Sequence, residues 1–161
     1  MMNTLIKPSA VLGAILGAAL GIILLIPFLN VLGFLAFMLI GVGIVWYLKH
    51  YSFIGIITVK DGAIMGAVSG FCATIAASLI YLPFNIIYWF FISPALKTNT
   101  WHGPNMVFSY IFISIILVLT AIAPMLALFN ALSGMAAAFM YKKIENQQIE
   151  GQTEFIIDDT I

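Results

Sequence analysis

Residues 60–70 read KDGAIMGAVSG, and residues 13–21 read GAILGAALG. The two stretches share the frame G-A-I-x-G-A-x-x-G at an offset of 49 residues, from Gly13 to Gly62. Gly13, Gly17 and Gly21 lie four apart, as do Gly62, Gly66 and Gly70, and on a helix positions four apart form one stripe. Ala10, Ala14 and Ala18 border the first stripe; Ala63, Ala67 and Ser69 border the second. Between membrane helices no hydrophobic drive operates, so contact rests on van der Waals packing at close approach. Glycine removes the side chain that holds two backbones apart. The frame therefore predicts two helices with flat faces that cross tightly, against each other. The rival role is a glycine-lined path for a substrate. Two tandem triples in one shared frame favour packing over that rival.

Composition says where such helices reside. The chain has 161 residues, 63% hydrophobic and 7% charged, with a mean hydropathy of +1.16. A soluble chain carries about 25% charged residues, and a small domain exposes too much of its surface to hide this apolar content. No acidic or basic side chain occurs between Lys7 and Lys49, between Asp61 and Lys97, or between His102 and Lys142. Each run exceeds the ~20 residues that cross a hydrocarbon core. The expected fold class is an all-α membrane protein, a four-transmembrane-helix bundle. Net charge is zero, which gives no basic surface for nucleic acid. A single cysteine, Cys72, excludes an internal disulfide. The absence of arginine beside abundant isoleucine points to an AT-rich, bacterial genome.

Spans are expected at about 9–26, 31–48, 62–82 and 122–141, with an apolar outer extension over 84–121 and an acidic tail over 144–161. Pro8 suits the first turn of the first helix. IPFLN at 26–30 reads as a tight turn, and the N-terminus reads as a retained helix because no cleavage site precedes the next span. Asp61 sits where a helix N-terminus favours an anion. The tail holds five acids and no base past Lys143 and is expected to be solvated and loosely ordered. With four spans, Lys7, Lys49, Lys60, Lys142 and Lys143 share one side and Lys97 stands alone on the other. The positive-inside rule then puts both termini in the cytoplasm, in the bacterial inner membrane. Trp89, Tyr88, Tyr81 and Trp101 would form an outer aromatic belt. Residues 106–141 make about 54 Å of helix, so a turn at Pro124 would give five spans; that reading divides the lysines evenly between the sides and is set aside. Helices three and four are then long and continue past Pro83 and Pro124 toward the outer face, and their extra length is expected to tilt, lie along the bilayer or be covered by another copy.

A duplication of the two hairpins fits the glycine frame. LAFMLIGVG at 35–43 aligns with LALFNALSG at 126–134, which sets Gly43 on Gly134. Helices one and three run the same way, so the repeat is parallel, about an axis along the membrane normal. Gly43 and Gly134 are therefore counted with the packing glycines.

Chemistry is scarce. No ionisable residue stands at mid-depth, where ion-coupled transporters keep one. His50 and His102 fall on opposite sides and cannot share a metal. Cys72 lies about 15 Å into its helix, too deep for acylation, and reads as a small packing residue. Asn130, near Ser133 and Gly134, is the one strongly polar side chain of the last helix. It is expected to hydrogen-bond to a neighbouring helix; lining a permeation path is the alternative. Thr74, Ser78, Ser109, Ser114 and Thr120 can bond backbone carbonyls. No catalytic set, cofactor site or metal site can be assembled, so an enzyme is not expected.

The glycine-striped first helix, the Pro-Phe turn, TVKDGAIMGAVSGF, the aromatic NIIYWFF and the closing LSGMAAAFMYKK resemble small bacterial four-helix membrane proteins of unknown function, over residues 5–143. That resemblance implies a fold and a location, with no catalytic or binding residue to carry over. The expectation is a non-enzymatic structural or accessory bundle whose partners are the lipid bilayer and either a homo-oligomer or another membrane protein. The alternative is a small oligomeric permease or channel.

Overall fold

The computed structural model describes residues 2–51, 55, 57–91 and 104–158, and all regular structure among them is helical. Helix α1 spans Met2–Ile23. A 3-10 turn at Pro27–Leu29 leads into α2, Asn30–Met38, and α3, Ile40–His50. Helix α4 spans Val59–Phe91. Helix α5, Pro104–Leu117, passes through a π turn at Val118–Ile122 into α6, Ala123–Asp158. The stretches Leu5–Ile23, Val59–Tyr88 and Phe108–Gln147 are each long and apolar enough to cross a membrane. The bent pair Asn30–Met38 and Ile40–His50 makes a fourth if it counts as one span.

Helices three and four continue past Pro83 and Pro124 as the four-span reading expects; the start of the first helix at Pro8 and the tail differ from expectation. Pro8 sits two turns inside α1, and Pro83 lies within α4. A proline lacks its own N–H and leaves one carbonyl unpaired, which membrane helices tolerate when neighbours re-satisfy the backbone. At Pro124 the chain does not turn back. The Ala123 N–H donates to the Val118 carbonyl, five residues earlier. That wide turn shifts the preceding carbonyls out of the way of the proline ring and lets the helix go on. The tail also differs, continuing α6 as helix to Asp158; its glutamates and glutamines are good helix formers. Lys97, Trp101 and His102 lie outside the described residues, as does the side chain of Trp89.

The start of α4 follows from its sequence. The Thr58 N–H and hydroxyl both donate to Asp61 Oδ2, at 3.1 and 2.6 Å, and the Asp61 N–H donates back to Thr58 Oγ1 at 3.2 Å. This reciprocal box satisfies donors that the first turn leaves free. Thr58→Ala is expected to cost about 1 kcal/mol of local helix stability. Amide exchange at residues 59–62 should then speed up, with total helicity unchanged.

Helix α4 is the centre of the bundle. Its neighbours α1 and α6 lie on two different faces, both made of small residues. A Cβ added at Gly13, Gly17 or Gly21 would run into the backbone of Ser69, Ala73 or Ala77 respectively. A Cβ added at Gly62 would lie 2.5 Å from both the Ala138 Cβ and the Gly134 carbonyl oxygen; one at Gly66 would strike the Asn130 carbonyl. The two glycine stripes therefore do not meet each other. The α1 stripe packs on a second small-residue face of α4, and the α4 stripe packs on α6. Helix α3 closes the bundle by burying Ile44, Val45 and Leu48, with Met65 of α4 buried beside them in the same core.

Candidate functional site

The one polar junction inside the described bundle is built around Asn130 of α6. Three glycines make its space. A Cβ at Gly70 of α4 would fall 2.6 Å from the Asn130 Cβ and 2.8 Å from its Nδ2. Gly66 lies one turn earlier, against the Asn130 backbone. On α3, a Cβ at Gly41 would collide with the Asn130 carbonyl and come within 2.5 Å of Ser133 Oγ. Gly134, the next turn of α6, faces the Gly62 carbonyl. Any larger residue at these positions would push a helix away and open the junction.

The Asn130 carboxamide is completely buried, at 0% exposure. Its Oδ1 accepts the Gly41 N–H at 2.8 Å, and its Nδ2 donates to the carbonyls of Phe37 at 3.1 Å and Leu126 at 2.9 Å. The first two partners have a specific relationship. In an unbroken helix the Gly41 N–H would donate to the Phe37 carbonyl, four residues back. Here α2 and α3 meet at Leu39 with a bend of 57°, and the amide stands between the two ends of that missing rung. A side chain inserted into the hydrogen-bond ladder is one of the few recognised causes of a sharp kink. Either side of the break, Leu39 N–H donates to the Ala36 carbonyl and Gly43 N–H to the Leu39 carbonyl.

No family model, curated protein or solved structure matches the chain.

The remaining candidate residues fall away from this junction. Gly43 does not pack: a Cβ there would meet no described atom within 4 Å. Gly43, counted from the sequence among the packing glycines, is thus corrected: the glycine of α3 that packs on α6 is Gly41, against Asn130, Ser133 and Gly134. Cys72 is a half-buried free thiol on α4. His50 is exposed at the end of α3, stacked on Trp46 with centroids 5.2 Å apart and edge-on to Tyr51. Lys49 is held by the Gly55 carbonyl at 3.0 Å and lies 3.7 Å from Glu145 Oε1, which links Gly55 to α6.

Four hydroxyl groups within the spans serve their own helices. Ser69, Thr74, Ser78 and Thr120 donate to the carbonyls of Gly66, Gly70, Ile75 and Ile116. Among the described residues, no buried side-chain nitrogen or oxygen lacks a partner, and no three metal-binding side chains come together.

Three contact features carry no strong mark in the sequence. The Ser69–Ala73–Ala77 face is spaced four apart like the glycines, and that spacing was the available signal. Gly41 is hidden by the nearby Gly43. The break at Leu39 has no proline to announce it.

Proposed function

We propose that the chain is a non-enzymatic bundle of the bacterial inner membrane, with both termini cytoplasmic, that serves as a structural or accessory component. The observation that carries this reading is the fully enclosed state of the Asn130 amide. Its hydrogen-bonding atoms are taken up by backbone groups of α2, α3 and α6. A side chain held this way works as a helix connector. The two glycine stripes support the same role, since each is covered by a neighbouring helix of the same chain.

The length of the apolar surface supports an assembly role in particular. Within Phe108–Gln147 the apolar part ends at Tyr141, ahead of Lys142 and Lys143, which is about 51 Å of helix against roughly 30 Å of hydrocarbon. Tilt alone leaves much of that length without lipid, so a second copy or another membrane protein is the natural cover.

Reconstitution separates this reading from a permease or channel. Proteoliposomes should swell no faster than empty vesicles in solutions of small polar solutes such as glycerol, urea and amino acids. Cross-linking within the same vesicles should trap a defined oligomer. Solute entry that depends on the protein and disappears in Asn130→Leu would overturn the proposal.

A further inference from the structure

The break between α2 and α3 has two ways to satisfy its backbone. In the bent form the Asn130 amide takes the Gly41 N–H and the Phe37 carbonyl. In a straight form those two groups would pair with each other as one ordinary rung. Both forms pair the Gly41 N–H and the Phe37 carbonyl, and a bare backbone group is costly in an apolar interior. Nothing covalent enforces the bend, because no proline occurs between Pro27 and Pro83.

The two arms of the break are held very differently. Helix α3 buries Ile40, Gly41, Ile44, Val45 and Leu48. Helix α2 buries only Gly33 and Phe37, and its remaining side chains are exposed or half-buried. Gly33 rests on the flexible end of the Leu24 side chain. The amide bonds are thus the main polar hold on an arm with little packing of its own.

We infer that Leu39 is a hinge and that the Asn130 carboxamide is its latch: releasing the amide lets α2 straighten onto the axis of α3 while the rest of the bundle stays assembled. Straightening hands the Gly41 N–H and the Phe37 carbonyl to each other and leaves Asn130 holding only the Leu126 carbonyl. The α2 arm has nine residues, so turning it through 57° carries its far end through about 13 Å. The hinge does not depend on whether the bundle is an accessory protein or a permease.

The test is a distance measurement by electron paramagnetic resonance on the full chain in lipid nanodiscs. Spin labels go on Val31 at the start of α2 and on Leu79 of α4, both exposed, in a Cys72→Ala background. With Asn130 present, one bent distance should dominate. Asn130→Ala should move the mean by several ångströms, approaching the ~13 Å arc. Adding Leu39→Pro to that variant should restore the bent distance, since a proline there clashes with the Leu35 carbonyl in a straight helix. Asn130→Ser is the second variant should Asn130→Ala not assemble. An unchanged distance in a folded Asn130 variant overturns the hinge. Failure of both variants to assemble also overturns it, because the bundle is required to survive release of the latch.

Discussion

Gly66→Leu is expected to take the bundle apart. The glycine faces the Asn130 carbonyl on α6, and the Asn130 carbonyl carbon would lie 2.8 Å from a new Cβ, with the Ala131 Cα at 3.2 Å. These are backbone atoms, which cannot rotate aside as a side chain would. Relief requires α6 to move outward, and α6 carries Asn130 and hence the hold on α2 and α3. Overpacking a close-fitting interior costs about 1–3 kcal/mol where neighbours can adjust, so the loss here should be about 3 kcal/mol or more. A mixed-micelle unfolding curve would read it directly. Gly43→Leu is the matched control: it adds the same surface to an apolar helix where no described atom lies within 4 Å. It should shift the curve by no more than ~0.5 kcal/mol. Equal effects at the two positions would mean that glycine content, and not close approach, sets stability.

Gly17→Leu should have a comparable cost, of about 3 kcal/mol, and a different consequence. A Cβ at Gly17 would meet the carbonyl, Cα and carbonyl carbon of Ala73 together. The α1–α4 contact runs along Gly13, Gly17 and Gly21, whereas α4, α3 and α6 hold one another through the other face of α4. Loss of α1 should therefore leave the three-helix remainder in place. Protease protection or cysteine accessibility along α1 should rise while the Asn130 junction stays closed. Full unfolding in a single step with Gly17→Leu would show that the two faces of α4 are not independent.

The glycine stripes were legible because spacing by four on a helix has one geometric meaning. Their partners were not. The residues that receive Gly13, Gly17 and Gly21 are Ser69, Ala73 and Ala77, of which only Ser69 stood out, as a border of the α4 glycine stripe. A helix with two such faces looks, in sequence, like a helix with one. The role of Asn130 as a connector follows from the cost of a bare amide in an apolar interior, and that much could be reasoned from its position. Its target could not: the Gly41 N–H is 89 residues away in the chain. For the same reason the break at Leu39 was invisible, since its cause sits on another helix. Of the prolines only Pro8, expected in a first turn, misled. Pro8, Pro83 and Pro124 all lie inside helices or at a widened turn, because packed membrane helices can absorb the missing donor that ends a helix in water.

Magic-angle-spinning NMR of the protein in bilayers, labelled at the glycine Cα carbons and at Ala73 and Asn130, addresses the packing of α4 most directly. Through-space cross-peaks should join Gly17 to Ala73 and Gly66 to Asn130, with none between Gly17 and Gly66. Cross-peaks from either glycine to lipid acyl chains or to water, in place of those protein contacts, would contradict a bundle held together through two separate small-residue faces of one central helix.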